Sequence, residues 1–160
     1  MQIRVAMPAD FDAMWPIFEA VVAAGDSYVF DETTTRDEAH AYWFGPGIAS
    51  FVALDGEELL GMYKLVANQR GRGAHVANAS FMVSPRAHGK GIGKTMGVHA
   101  LEAARHAGFL AMQFNFVVST NTAAVTLWQQ LGFAIVGTLP GAFRHAQRGF
   151  VDAYGMFRTL

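Results

Sequence analysis

The spacing of hydrophobic positions changes several times along the chain, and each change marks an element. Residues 2–6 (QIRVA) alternate weakly and predict a first strand. Pro8-Ala9-Asp10 then opens a helical pattern through Phe11, Met14, Ile17, Phe18, Val21 and Val22, which Pro16 is expected to kink or split. Thr35 followed by Glu38 is a capping-box pair, so a short second helix is predicted from Arg36 to Phe44, closed by Gly45-Pro46-Gly47. The loop between these helices, GDSYVFDETT, is at once apolar and acidic. Strand signals follow at 50–54, 58–68 and 74–84, joined by Asp55-Gly56 and by Gly71-Arg72-Gly73, and they read as an antiparallel meander. The period then lengthens: Ile92, Met96, Ala100, Ala103 and Ala107 recur at helical spacing up to Gly108, and LAMQFNFVVS at 110–119 reads as a buried strand. Strand, helix and strand in that order predict one right-handed parallel crossover. A further helix at 121–131 carries Ala124, Leu127, Trp128 and Leu131 on one stripe and stops at Gly132, and strands at 133–139 and 149–158 complete the pattern.

Composition narrows the classes of function. At 160 residues and 52% hydrophobic, the chain suits one compact domain over 1–160 with a core of its own. No apolar run approaches the roughly 20 residues a membrane helix needs. The start, MQIRVAMPAD, lacks the basic-then-apolar order of a secretory signal, so a cytoplasmic protein is expected. With no cysteine, disulfides, thiolate metal sites and a cysteine acyl-enzyme are all excluded. A net charge of -1 with scattered Lys and Arg gives no footprint for nucleic acid, although a local anion site fits. His40, His75, His88, His99, His106 and His145 show no metal-ligand spacing, so no metal is expected, and His99 and His106 are expected to face solvent. Met62, Met82, Met96 and Met112 fall at core positions, as filler.

The stretch FMVSPRAHGKGIGKTM at 81–96 changes the picture most. A strand ends near Val83 or Ser84, Pro85 stops the ladder, and Gly89, Gly91 and Gly93 let the backbone approach a ligand where a helix starts. Unpaired amides at a helix start suit a pyrophosphate, and Lys90 and Lys94 add positive charge. The same glycines would also serve a ligand-free connection. Gly93-Lys94-Thr95 matches the tail of a nucleotide-triphosphate loop, but that loop requires glycine where His88 stands, and the following strand lacks the terminal Asp that holds magnesium. A dinucleotide fingerprint fails as well, because Gly89-Lys90-Gly91-Ile92-Gly93 is not GxGxxG.

On these residues the chain resembles the GNAT superfamily of N-acetyltransferases. The family's pyrophosphate loop, Arg or Gln, two residues, Gly, one residue, Gly or Ala, is matched by Gly91 and Gly93, with His88 in the atypical lead place. Its second motif maps onto Asn121, Ala124, Trp128, Gly132 and Phe133. The resemblance implies a mixed, mostly antiparallel α/β sheet of about seven strands flanked by four helices and splayed at an acetyl-CoA cleft. It also implies acetyl-CoA as cosubstrate, with a small-molecule amine as acceptor, and it allows a homodimer. The coenzyme would meet His88, Gly89, Lys90, Gly91, Ile92, Gly93, Lys94 and Thr95, pair with the backbone of Met82 and Val83 like an added strand, and bond to Asn121. Many family members place a tyrosine general acid where this chain has Trp128, whose N–H has no useful acidity. Trp128 also suits a plain core aromatic, and Asn121 a helix cap.

On the acceptor side, the period of two puts Val76, Asn78, Ser80 and Met82 on one face of their strand. It gives the strand at 110–119 a polar face of Gln113, Asn115, Val117 and Ser119, opening into a cleft or carrying buried hydrogen bonds. HVANASFMV with FNFVVSTN resembles a GNAT subgroup typified by a fungal azetidine-2-carboxylate acetyltransferase. That likeness implies Asn78 and Asn115 as catalytic or substrate-aligning residues. The family's architecture implies that the loop with Tyr28, Phe30, Asp31 and Glu32 covers the acceptor, with the amine proton leaving through water toward one of the two acids, although a solvated loop suits Asp31 and Glu32 better. The expected activity is acetyl transfer to a small amino acid or amine. A non-catalytic acyl-CoA sensor and a nucleotide-triphosphatase are the readings it must displace.

Overall fold

Seven segments pair as β1 (Gln2–Val5), β2 (Ala49–Asp55), β3 (Glu58–Ala67), β4 (Val76–Val83), β5 (Ala111–Val118), β6 (Ala134–His145) and β7 (Gly149–Thr159) in a computed structural model that describes all 160 residues. They form one sheet in the order β1-β2-β3-β4-β5-β7-β6. Every neighbouring pair is antiparallel except β4 and β5, which are parallel. Helices α1 (Phe11–Ala24) and α2 (Arg36–Phe44) cover one face of the sheet, and α3 (Ile92–His106) and α4 (Thr122–Gln130) cover the other. This is the mixed, mostly antiparallel architecture the motifs implied. No helix is long and apolar enough to cross a membrane.

The local chemistry explains these boundaries. The Thr35 and Glu38 box is reciprocal: Glu38 N–H donates to Thr35 Oγ1 at 3.2 Å and Thr35 N–H to Glu38 Oε2 at 2.7 Å. Of the two outcomes expected at Pro16, the split does not occur: α1 runs unbroken from Phe11 to Ala24. Pro16 sits on the exposed face near the helix start, where the Asp12 carbonyl it leaves without an intrahelical donor is on the exposed side. In α3 the buried stripe drifts from Ile92, Met96 and Ala100 to Leu101 and Ala104, as 3.6 residues per turn requires. His99, on the edge of that stripe, turns inward rather than to solvent, with Nδ1 2.6 Å from the Tyr63 hydroxyl.

The sheet separates two apolar layers. Phe11, Met14, Phe18 and Trp43 pack with Val52, Met62 and Met82 on one side, while Met96, Ala100, Phe114 and Trp128 gather with Ala77 and Ala79 on the other. Met62, Met82, Met96 and Met112 are all at most 2% exposed, so they fill the core as expected. Two strands depart from the sequence reading. β6 runs on through Pro140 and Gly141 to His145, since a register shift between Leu139 and Phe143 absorbs the residues that looked like a stop. β5 shifts register between Phe114 and Val117, so these two share the core while Asn115 is exposed, and the simple two-face alternation fails there.

Candidate active site

β4 and β5 lie side by side only at their beginnings, with Val76 opposite Ala111 and Ala77 opposite Met112. Asn78 Nδ2 then donates to the Gln113 carbonyl at 2.8 Å, and past that clip no ladder joins the strands. The direction of each β4 backbone group follows from its ladder with β3. Asn68 N–H bonds the Val76 carbonyl and Ser84 N–H the Leu60 carbonyl, both at 2.8 Å, with unbroken register between. Val76, Asn78, Ser80, Met82 and Ser84 therefore turn their amides toward β3, while Ala79, Phe81 and Val83 turn theirs into the gap. This corrects one expectation. Met82 has no free amide for an added strand, and of the expected pair only Val83 has one.

At the far end of the gap, α3 starts on Gly91, whose φ of 77° no L-residue adopts comfortably, and Gly89 shares that conformation. The first intrahelical bond is Thr95 N–H to the Gly91 carbonyl at 3.1 Å. The amides of Ile92, Gly93 and Lys94 are thus left without helix acceptors, and no side chain caps them. With the positive end of the helix dipole behind them, they form an anion cradle. His88, Gly89, Gly91, Gly93 and Lys94 line a cleft of about 800 Å³ that continues past Met82 and Val83 to Asn121. Ile92 buries its side chain and can offer only its amide. Lys90 is exposed and does not line the cleft, and Thr95 turns its hydroxyl back to the Gly91 carbonyl at 3.2 Å. Thr120, on the same cleft wall, has a buried Oγ1 with no partner in the protein.

A second, smaller pocket of about 240 Å³ lies between the α1–α2 loop and the parted strands. Tyr28, Phe30, Asn78, Asn115 and Asn121 all reach it. Asp31 and Glu32 do not: both are exposed, and the Asp31 carboxylate accepts from the Thr33 hydroxyl and from its amide, which holds it below the usual carboxylate range. Asn121 caps α4, its Oδ1 accepting from Ala124 N–H at 3.2 Å, so its Nδ2 is free for the cleft. Asn115 has both halves of its amide engaged, donating to Asn68 Oδ1 at 2.7 Å and accepting from Gln113 Nε2 at 2.9 Å. Tyr28 does more than cover the pocket. Its hydroxyl accepts from Phe81 N–H at 2.8 Å and donates to the Phe81 carbonyl at 2.7 Å, occupying the β4 edge in the gap.

Several wall residues were missed in the sequence. Ser80 shares the face already assigned to Asn78 and Met82, and this was the signal available for it. It accepts from the Tyr42 hydroxyl at 2.7 Å, and for Tyr42 no local pattern exists. Behind them the buried Lys64 ammonium lies 3.2 Å from the Tyr42 ring centroid and donates to the Tyr42 carbonyl at 3.0 Å, and burial lowers its pKa to about 8. No charged side chain lines the small pocket itself. His145, Gln147 and Arg148, at the tip of the β6–β7 hairpin, reach the large cleft because Ala146 N–H bonds the Gly25 carbonyl at 2.9 Å. A side chain at Gly25 would meet the Ala146 Cβ at 2.8 Å.

The comparisons with known proteins agree with this geometry. The acetyltransferase (GNAT) family model matches residues 11–133. N-acetyltransferase aca1 of Schizosaccharomyces pombe is 32% identical over 151 residues, covering 83% of this chain and 72% of that protein. L-amino acid N-acyltransferase MnaT of Escherichia coli is 28% identical over 144 residues, covering 88% of this chain and 83% of that one. The solved structure of a GCN5-related N-acetyltransferase from Kribbella flavida is similar with a TM-score of 0.95 at 43% identity, over 99% of this chain and 97% of the other. The triphosphatase and sensor readings give way to an enzyme: this chain belongs to the GNAT family of acetyl-CoA-dependent N-acetyltransferases.

Proposed function

We propose that the enzyme acetylates the amine of a small amino acid or amino-acid-like compound bound in the pocket between the α1–α2 loop and the parted strands. The observation that carries this is the pocket's size and wall: about 240 Å³, no charged side chain, and the amides of Asn78 and Asn121 beside apolar surface. Such a site suits a compact acceptor whose amine attacks in its neutral form, with the Asn121 Nδ2 left free to donate to the acceptor's polar end, and it offers little to a long polycation. The likeness to an L-amino acid N-acyltransferase points the same way. In this reading the pyrophosphate rests on the α3 amides, and the pantetheine arm pairs with Val83. The thioester then reaches the wall shared by both cavities, which Ser27, Tyr28, Phe81, Asn121, Ala124 and Trp128 form. The transfer step is attack by the neutral amine on the thioester carbonyl, with the sulfur departing.

Incubation with acetyl-CoA and a panel of amino acids, imino acids, polyamines and amino sugars, read by free thiol, tests the acceptor class. Amino or imino acids are expected to give the highest kcat/KM, and a preference for polyamines overturns the reading.

Asn78 provides a second check. Its Nδ2 holds β5, while its Oδ1 has no partner in the protein and its side chain borders the pocket. Asn78→Ala is expected to lower kcat/KM for the acceptor about tenfold, the value of one oriented buried hydrogen bond, with the KM for acetyl-CoA nearly unchanged. A lower melting temperature with full activity per folded molecule would assign Asn78 to the sheet alone.

A further inference from the structure

We propose that the small pocket selects an acceptor whose amine is accompanied by a carboxylate, held by the Ser80 hydroxyl in the field of the buried Lys64 ammonium behind it. This inference deepens the acceptor reading proposed above and rests on it. Lys64 stands on β3 directly opposite Ser50 of β2 and Ser80 of β4, so the three side chains share one face of the sheet, the face that α1 and α2 cover. Lys64 is 7% exposed, yet no carboxylate pairs with it: the protein's two ion pairs join Arg4 to Asp10 and Arg36 to Asp12. A buried charge with no counter-ion is costly, and the cost falls when an anion arrives beside it.

The contacts Lys64 makes within the protein lead toward the pocket. One N–H reaches the Tyr42 carbonyl in the last turn of α2 at 3.0 Å, which a helix C-terminus accounts for. The ammonium also lies 3.2 Å from the centroid of the Tyr42 ring, and Tyr42 and Ser80 both line the pocket. Tyr42 donates its hydroxyl proton to Ser80 Oγ at 2.7 Å, and burial holds the phenol above its usual pKa, so it stays a donor. Ser80 keeps its own O–H to offer, since the nearby Tyr28 oxygen is already bonded to both backbone groups of Phe81. Ammonium, phenol and hydroxyl are thus polarised in one direction, and the end of that series favours negative charge.

The rest of the wall complements an amino acid. Asn121 Nδ2 is a second free donor, and Asn78 Oδ1 is a free acceptor. The pocket therefore offers two donors to a carboxylate and one acceptor to an amine N–H, groups that an α-amino or imino acid carries on a single carbon. Ser80 is the contact in this arrangement, and Lys64 and Tyr42 are positioning residues that act through it.

The test reads selectivity, using the amino acid with the highest kcat/KM and the amide of that same amino acid, which keeps the amine and loses the charge. Lys64→Met and Lys64→Gln both remove the ammonium, and Gln retains a donor for the Tyr42 carbonyl. In each variant the ratio of kcat/KM for the acid to that for the amide is expected to fall about tenfold or more, chiefly through the KM of the acid, while the KM for acetyl-CoA stays within about threefold. Ser80→Ala is expected to lower the same ratio about fivefold by removing the contact. With the wild type, the same acid lacking its amine should compete with the acceptor about tenfold more tightly than the matching amide does. A lower melting temperature with an unchanged ratio assigns Lys64 to the α2 terminus alone and overturns the proposal, as does an acid that competes no better than its amide. If neither Lys64 variant folds, a wild-type ratio in Ser80→Ala overturns it. A wild type that prefers amines without an acid group overturns the acceptor class as well, whereas an acid preference that survives the loss of the ammonium overturns this inference alone.

Discussion

Gly91→Asp is expected to raise the KM for acetyl-CoA at least 100-fold while leaving the protein folded. Gly91 is the residue on which α3 starts, and its φ of 77° places it in the left-handed region. An L-residue there costs about 1 to 2 kcal/mol. A Cβ would meet no atom within 4 Å, so the added side chain projects into open space rather than into the core. The larger effect is electrostatic. A carboxylate beside the unpaired amides of Ile92, Gly93 and Lys94 competes for the donors on which the proposed reading rests the pyrophosphate. Two like charges about 4 Å apart near a protein surface repel by up to about 4 kcal/mol. Even partial screening leaves the roughly 2.7 kcal/mol that corresponds to 100-fold. Gly91→Ala separates the two contributions, since it carries the backbone strain without the charge and should raise KM by no more than about tenfold. Steady-state kinetics on both variants, beside their melting curves, provide the check. A Gly91→Asp enzyme with wild-type KM and wild-type melting temperature rules out an anion at this helix start.

Trp128→Ala is expected to cost about 3 to 5 kcal/mol of stability, the range for truncating a buried large aromatic. Trp128 is 8% exposed, with its ring centroid 4.8 Å from that of Phe81, 4.7 Å from Phe114 and 6.2 Å from Phe133. It also rests on bare helix backbone: a Cβ at Gly97 of α3 would come within 3.1 Å of the indole Cζ3. Truncation therefore opens a cavity where β4, β5, α3 and α4 meet, and rigid neighbours can close only part of it. In a domain of this size the loss should lower the melting temperature by about 10 °C. Trp128→Phe, which keeps much of the packing, should leave kcat within a few-fold of wild type, because the indole donates no proton to the sulfur. Urea denaturation and turnover on the two variants check both halves. An alanine variant as stable as wild type, or a folded phenylalanine variant losing 100-fold in kcat, contradicts this account of the residue.

Much of the architecture was legible in local pattern. The Thr35 and Glu38 box, the Asp55-Gly56 turn, the stop at Gly108 and the strand–helix–strand crossover each depend on residues a few positions apart. Their energies are set by backbone geometry and nearby hydrogen bonds whatever the rest of the chain does. The glycine turn was legible for the same reason, since positive φ at Gly89 and Gly91 and the unpaired amides of a helix start are properties of one short segment. The period of two correctly grouped Asn78, Ser80 and Met82, yet it said nothing of which edge of β4 each amide faces. That depends on which neighbour the strand pairs with, and the β3 ladder takes the Met82 amide. The extra residues in β5, the run of β6 past Pro140 and the inward turn of His99 likewise answer to partners far along the chain. Tyr28 is the clearest case. Nothing within ten residues of it predicts that its hydroxyl will bond both backbone groups of Phe81, 53 positions away. Side-chain chemistry and helical or strand period are local and can be read in order along the chain, whereas the partner of a buried hydroxyl exists only once seven strands and four helices have closed around it.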